Sequence, residues 1–595
     1  MKDMMYYPNP AFRRERWIGL NGEWAFAFDD DDVGMKKHWE KGGLDLRITV
    51  PFVYQCEKSA LSDTEGHRIR FEGEEPPYHP ILWYSRSFTL DRISSDDEIL
   101  LNFNAVDYKA SVWVNGNLAT IHEGGYTPFS VAVTAFVKKG ENMVSVRVED
   151  YHDNAQPRGK QIWTEKPWGC WYTPSSGIWQ DVWLSFTKKA HVKACRITPD
   201  LDKRLATFEL EYSHGVAKGQ KIEIELSYEG KLVTTLLVDA EEYRQFLHLH
   251  ITQPNSVDDV HAWSPEHPRL YDVKLRLYSA GMVLQDEVET YFGMRKVSVR
   301  NGQILLNNRP LYQRLILDQG YWQESLLTPP DKEALRKDLE LMKQMGFNGV
   351  RKHQKFEDPW FYYLADKMGV LVWAELPSAY CFSTDEVENV NRDILQAVRT
   401  LYNHPSIITW VPFNESWGVR DVFTDPFQQN FVKSVYHLLK ALDPNRLVSG
   451  NDGWEQVVTD FCAIHDYDIH DQESYDRTWK DIGTLTETAA SHRQIYCENS
   501  EYSGEPVLLT EFGGIALRND VSGGAWGYRD PANSKEELLT RLEKLMSAIH
   551  ADRRVKGFCY TQLTDVAQEV NGLLYPDRTP KCDIAEYHRI FTNTL

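Results

Sequence analysis

The sequence predicts a multidomain protein of β plus α/β class: two successive antiparallel β-sandwiches followed by a carboxy-terminal (β/α)8 barrel. Three observations carry this reading. Apolar and polar residues alternate in short runs as far as about residue 291. From about 292 the apolar period becomes helical. Eight short apolar runs then recur between helical segments to the end of the chain. A length of 595 residues fits three such units when one is a barrel of about 300.

The first unit, residues 1–187, reads as β. Val144, Val146 and Val148 alternate with Ser145, Arg147 and Glu149, and Val112-Trp113-Val114 runs into Asn115-Gly116, the dipeptide that best closes a two-residue hairpin. Within 163–183, Trp163, Trp168, Trp171, Tyr172, Trp179 and Trp183 lie among Gly and Pro. That stretch is too irregular for one strand and too aromatic for a solvated loop, so it is expected to reach into a ligand pocket or a core. The second unit, 188–291, has alternating runs at Phe208/Leu210/Tyr212, Ile222/Ile224/Leu226/Tyr228 and Tyr271/Val273/Leu275/Leu277, which predict an immunoglobulin-like sandwich. His248 and His250 share one face of a strand there and are expected to face solvent rather than a metal.

In the third unit, 292–595, Leu335, Leu339, Met342 and Met345 recur at helical spacing, as do Phe431, Val435, Leu438 and Leu439. The apolar runs are 311–316, 347–351, 370–375, 407–413, 446–449, 461–465, 506–510 and 556–562. Eight strands alternating with helices is the arithmetic of a barrel, although periodicity alone leaves a doubly wound sheet open.

Composition excludes several function classes. The net charge of −21 disfavours nucleic acid and anionic membranes. The amino terminus has no apolar h-region and no run spans a bilayer, so the expected location is cytoplasmic. Eight cysteines form no CxxC pair, which argues for reduced thiols rather than disulfides or zinc. His465-Asp466-Tyr467-Asp468-Ile469-His470 fits no standard metal spacing. With neither a GxGxxG fingerprint nor a Walker motif, no cofactor is expected. Aromatics are the one excess, at 12%. Their flat faces suit stacking on sugars, as they also suit thick β-cores.

Catalytic groups of a barrel belong at the carboxyl ends of its strands. The fourth run ends in Asn414-Glu415-Ser416-Trp417-Gly418 and the seventh in Glu511-Phe512-Gly513-Gly514. Either glutamate alone would suit a rim salt bridge. Two facing each other across one mouth suit glycosidic cleavage, in which one protonates the leaving oxygen and the other attacks the anomeric carbon. Carboxyl groups ordinarily titrate near about 4, so the acid needs its pKa raised by burial or by its negative neighbour.

The two Glu motifs, with Ser176-Gly177-Ile178-Trp179-Gln180-Asp181-Val182 and Phe347-Asn348-Gly349-Val350-Arg351, resemble glycoside hydrolase family 2, the family of β-galactosidases and β-glucuronidases. The resemblance covers nearly the whole chain. It implies a jelly-roll sugar-binding unit, an immunoglobulin-like unit and a catalytic TIM barrel. It further implies Glu415 as acid/base, Glu511 as nucleophile, Asn414 on the sugar 2-hydroxyl and Arg351 holding the nucleophile ionised. Trp526 and Tyr528 would wall the pocket, with Trp417 and Trp526 stacking on a neutral sugar.

The chain departs from the family pattern in four places. Leu317-Asp318-Gln319-Gly320 replaces the His-Glu pair of β-galactosidases, leaving Asp318 as the acidic group that would face the sugar. Arg351-Lys352-His353-Gln354 replaces Arg-x-Ser-His, moving the imidazole one place, and His353 or Lys352 would suit an anionic substituent. Glu375-Leu376-Pro377-Ser378 lacks the magnesium histidine, so no catalytic metal is expected. Asn571-Gly572-Leu573 lacks the lysine that meets a uronate. His353, Asp466, Tyr467 and Gln562 are further expected sugar contacts.

The reading is an exo-acting, retaining glycosidase, most like a β-galactosidase, cutting an oligosaccharide or glycoside. An α-L-arabinosidase or β-glucuronidase uses the same glutamates, and a carbohydrate-binding protein without catalysis is the alternative from another class. Family members often assemble as homo-oligomers, which the sequence leaves open.

Overall fold

The computed structural model describes residues 6–71, 76–251, 260–479, 489–490 and 493–592. In the first unit a seven-stranded sheet packs on a four-stranded one. Val144, Val146 and Val148 of strand Gly140–Glu149 meet Leu101, Phe103 and Leu184 in a common core, as period-two patterning requires. The hairpin between Lys109–Val114 and Asn117–Glu123 turns through Asn115 (φ 51°) and Gly116 (φ 76°), the paired positive φ values of a type I′ turn. The second unit packs three strands on four around Phe208, Ile224 and Leu275. His248 and His250 are exposed there.

Every apolar run of the third unit becomes a parallel strand: β1 Gln313–Asp318, β2 Gly349–Lys352, β3 Leu371–Glu375, β4 Ile407–Val411, β5 Leu447–Val448, β6 Cys462–His465, β7 Val507–Glu511 and β8 Val555–Tyr560. The ladder runs β5-β4-β3-β2-β1-β8-β7-β6, so β1 pairs with β8 as a barrel demands. This decides against a doubly wound sheet. Five of the connecting helices are capped by Asp331, Asp358, Ser383, Asp425 and Ser534, whose side chains accept first-turn N–H groups.

Two features lie outside the sequence reading. Among the described residues no helix joins β5 to β6, and no strand ladder links them. The seam is bridged instead by Asp460, which bonds Val448 through its backbone N–H (3.0 Å) and its side chain (2.8 Å). A small sheet of Val297–Arg300, Gln303–Leu306 and Arg309–Pro310 precedes β1. Its Ile304 and Leu306 share a cluster with the inward residues Leu315, Leu317, Trp373 and Leu508. No described helix is long and apolar enough to cross a membrane.

The first unit docks on the barrel through residues 154–160. The N–H groups of Arg158 and Gly159 donate to the Ser378 carbonyl (2.9 and 3.1 Å), and Tyr380 N–H donates to Asn154 (2.7 Å). Gly159 has φ +61°, and a Cβ there would lie 2.3 Å from the Gln354 carbonyl oxygen, so only glycine permits this approach. Gly159→Ala should cost about 1–2 kcal/mol from the left-handed backbone alone. A lower thermal midpoint together with faster proteolysis between the first unit and the barrel would show it.

Candidate active site

The carboxyl ends of the barrel strands are joined by one guanidinium. In β2, Val350 packs outward among the helices, so the alternation turns Arg351 inward, where it is fully buried. Its Nε donates to Glu375 Oε2 on β3 (2.7 Å) and its Nη2 to Asn414 Oδ1 after β4 (2.6 Å). Its Nη1 reaches Asp452 Oδ1 after β5 (2.8 Å), Glu511 Oε1 on β7 (3.1 Å) and the Thr510 carbonyl (3.3 Å).

Strict alternation would send Glu511 outward with Val507 and Leu509, which pack in the outer core. A register irregularity where β6 meets β7 prevents this: Ile464 pairs with Leu509, but the next residue, His465, pairs with Glu511. The extra residue re-aims the carboxylate into the mouth, a common use of bulges beside active sites. Tyr467 then donates to Glu511 Oε2 (2.7 Å).

Glu415 and Ser416 both have left-handed backbones (φ 52° and 59°), unusual for residues with a Cβ. The turn is held by Glu415 N–H on the Asp452 carbonyl (2.9 Å) and by Ser416 N–H on Asn451 Oδ1 (3.0 Å). It carries the Glu415 carboxylate to His465, whose Nδ1 lies 2.9 Å from Glu415 Oε1. The opposite nitrogen, Nε2, lies 2.9 Å from Asp452 Oδ1 and 3.5 Å from Glu511 Oε1. Arg351 Nη1 and His465 Nε2 converge on the same Asp452 oxygen, which accepts from both.

Equal burial gives unequal titration here because the partners differ. Burial raises the Glu375 carboxyl to about 7, against the opposing Arg351 charge. Burial would also raise Asp452, but Arg351 and the His465 hydrogen bond outweigh it and hold it below the ordinary carboxylate range. Burial would lower His465, yet Glu511, Asp452 and Glu415 raise it to about 9. Burial, then the Lys160 and Arg351 charges, push His353 well below its usual value. His353 is therefore a neutral ring, with Nδ1 3.0 Å from Glu375 Oε2. For Glu415 the expectation of a raised pKa is corrected: burial acts upward, but the hydrogen bond and charge of His465 prevail and lower it.

The remaining expected residues divide into two groups. Tyr528 stacks on Tyr467 at 3.7 Å, and Trp526 meets Tyr528 edge-on at 4.9 Å. An aromatic wall thus extends from the Glu511 partner to a groove of about 1030 Å3. That groove is lined by Trp526, Trp168 and Tyr78 and floored by part of the Trp-rich segment of the first unit. Trp417 packs against Trp171 (4.9 Å) and Tyr380 (5.5 Å) near the same junction.

The others are engaged elsewhere. Both Asp318 oxygens are occupied, by Lys352 and by Gly320 N–H, and Lys352 is held between Asp318 and Glu357, so neither joins the glutamate cluster. Asp466 accepts from Trp479 Nε1 and Asp468 N–H. Gln562 bonds Asn571 and Gln319.

Sequence reasoning missed His465, Asp452, Glu375 and Lys160 as members of the cluster. Glu375 and His465 end the third and sixth runs, so the strand-end criterion applied to all eight runs would have found them. Lys160 carries no such signal. It enters from the first unit, is buried, and lies over the Trp171 ring at 5.9 Å and against the Cys170 thiol, with no ion pair among the described residues.

Glu415, His465 and Glu511 each offer a potential ligand atom within 4.8 Å of the others. Both imidazole nitrogens lie 2.9 Å from carboxylate oxygens, those of Glu415 and Asp452. Carboxylate oxygens of Glu415 and Glu511 within 4.8 Å of each other are closer than the roughly 6.5–9.5 Å that an inverting pair needs for its water.

Arg351→Lys keeps the charge but loses the planar fork, so it cannot hold four strand ends at once. About 10²-fold lower turnover with a folded circular-dichroism spectrum is expected, the scale of loss when reacting groups shift by about 1 Å.

Three family models match the chain end to end. The sugar-binding domain of glycosyl hydrolases family 2 matches 18–188, a second family 2 model matches 190–295, and the family's TIM barrel domain matches 297–594. A β-galactosidase of Thermoanaerobacter pseudethanolicus is 26% identical over 73% of this chain and 55% of its own length. A β-glucuronidase of Streptococcus agalactiae is 26% identical over 76% of this chain and 78% of its own. The chain spans about half the length of most of the curated relatives it matches. A solved β-glucuronidase from Ruminococcus gnavus superposes with a TM-score of 0.77 at 20% identity, covering 98% of this chain and 99% of that one. With all three domain models in order and the barrel model covering 297–594, the chain belongs to glycoside hydrolase family 2.

Proposed function

We propose that the protein is an exo-acting, retaining glycoside hydrolase, most like a β-galactosidase, removing one terminal sugar by double displacement. In this reading 1–187 is a jelly-roll sugar-binding unit, 188–291 an immunoglobulin-like unit and 292–595 the catalytic barrel. The observation that carries it is the pair Glu415 and Glu511 at the ends of β4 and β7, with carboxylate oxygens within 4.8 Å.

Glu511 is the nucleophile. Arg351 donates to one of its oxygens and Tyr467 to the other, which orients the carboxylate for attack. Glu415 delivers the proton to the leaving oxygen and later activates water. Asn414 binds the 2-hydroxyl. Its Oδ1 accepts from Arg351, which leaves Nδ2 as the amide's donor. His353 is a neutral partner to the sugar, and Tyr467, Tyr528 and Trp526 form the wall.

Glu511→Gln should abolish turnover of nitrophenyl glycosides while retaining sugar binding by calorimetry. The native protein should be labelled covalently by a matched 2-fluoro glycosyl fluoride at Glu511. Absence of labelling in an otherwise folded protein would favour a carbohydrate-binding role instead.

A second reading, release of a terminal uronic acid, is favoured by Lys160. Burial alone would lower its pKa, but Cys170, Glu569, Tyr380 and Glu511 raise it, so the ammonium stays charged. A buried cation without an ion pair is costly unless a ligand supplies the anion. It would serve where Leu573 does not, since Leu573 is itself buried in the barrel core. Lys160→Met on a panel of nitrophenyl galactoside, arabinoside and glucuronide decides. Loss of about 10–100-fold confined to the glucuronide, the worth of one charge-assisted hydrogen bond, supports the uronide. An unchanged ratio between substrates removes it.

A further inference from the structure

One imidazole in the cluster has no part in the two-glutamate scheme. His465 stands between Glu415 and Asp452, with both ring nitrogens 2.9 Å from carboxylate oxygens, and Glu511 lies 3.5 Å from Nε2. A neutral imidazole has one N–H and cannot donate to carboxylates on both sides. The second proton must sit either on the ring or on one of the carboxyl groups. The surrounding carboxylates raise the ring and its hydrogen bond lowers Glu415, which assigns the proton to an imidazolium and leaves Glu415 a carboxylate, although Arg351 Nη1 also lies 3.3 Å from Nε2. As it stands, Glu415 is poised to accept a proton and not to give one.

We propose that His465 is a proton relay: it lends its Nδ1 proton to Glu415 as the glycosidic bond breaks and takes it back when the covalent intermediate is hydrolysed. This rests on the retaining-glycosidase reading. In the first step Glu511 attacks the anomeric carbon and the bond to the leaving oxygen breaks. The Nδ1 proton of His465 moves to Glu415 as Glu415 passes a proton on to that oxygen, so Glu415 gains and loses one proton and the net donor is the ring. Glu511 has then become a neutral ester, Glu415 is again a carboxylate and His465 is neutral. One alcohol is released, and the net charge of the three groups is unchanged at −1. In the second step water attacks the ester, Glu415 takes its proton and passes it to His465, and the Glu511 carboxylate is restored.

The electrostatics favour this sequence, because the charge that His465 loses tracks the charge of Glu511. Glu511 is the foremost of the groups that hold the proton on the ring. Esterification removes that negative charge when the ring must part with its proton, and hydrolysis restores it when the ring must regain it. The other groups facing His465 do not change. Arg351 from β2 and Asp452 after β5 form a buried ion pair. Glu375 on β3 and His353 act only through Arg351 or at a distance. The Trp454 ring, 5.5 Å away, closes the remaining side. His465 is thus a positioning residue for Glu415 and touches no reacting atom.

The experiment is a leaving-group series in the native protein and in His465→Gln, using 2,4-dinitrophenyl, 4-nitrophenyl and methyl glycosides of whichever sugar the native protein cleaves. Activity of the native protein on any of them establishes the glycosidase reading by itself. A relay predicts that His465→Gln loses about 10²-fold or more on the poor leaving groups, the usual worth of general acid catalysis, and little on formation of the intermediate from the dinitrophenyl glycoside. It also predicts that the native kcat/KM for the methyl glycoside falls as pH rises through about 9, where the ring loses its proton, and that the variant lacks this limb. Equal losses on all three glycosides would make His465 merely structural and overturn the relay. If His465→Gln does not fold, 15N-histidine NMR of the native protein gives the same decision. The ring should be doubly protonated when free and neutral once Glu511 carries a 2-fluoro sugar. An imidazolium signal in both states would overturn it.

Discussion

The Arg351 guanidinium is the constraint on which the site depends. It has no exposure to solvent and spreads its donors over β3, the turn after β4, the loop after β5 and β7. Removing a cation and several carboxylates from water costs several kcal/mol per ion unless the geometry returns it, and a planar fork with short bonds on three sides is the geometry that does. The link also lies beside a gap in the barrel ladder. That ladder is interrupted between β5 and β6, and Asp452, bonded to both Arg351 and His465, ties the two sides of that seam together where the reacting groups sit.

Around this cation the charges alternate, and burial acts on every group, so the partners decide which groups it moves and which it does not. Glu375 and Asp452 are both wholly buried and both bonded to Arg351, yet one rises to about 7 and the other falls. The difference is the second partner: a neutral His353 for Glu375 and a charged His465 for Asp452. The site is a coupled system in which displacing one proton changes the cost of the next.

The first β unit is part of the site and not an appendage. Its 154–160 segment is stitched to the third barrel loop, and Gly159 allows the approach that brings Lys160 over the mouth. Trp168 and the carbonyl of Gly169 meet the Trp526 loop, so the aromatic wall is assembled from both units. The aromatic excess of the sequence divides accordingly. Trp179 and Trp373 are core, whereas Trp168 and Trp526 line the groove.

By itself the sequence determined the units, all eight barrel strands and the two glutamates at their ends, because period-two and helical patterning and strand-end placement are local properties. The family resemblance singled out Arg351 and Asn414, whose motifs lie on or just after a strand. Tertiary structure alone decided what those residues meet. The turn of Glu511 into the mouth depends on a register irregularity that alternation contradicts. The occupation of Asp318 and Asp466 by Lys352 and Trp479 depends on which side chains arrive beside them. The protonation of His465 depends on three carboxylates brought from positions 415, 452 and 511. Charge state in a buried site is a sum over neighbours in space, and residues far apart in the chain become neighbours only when the barrel closes.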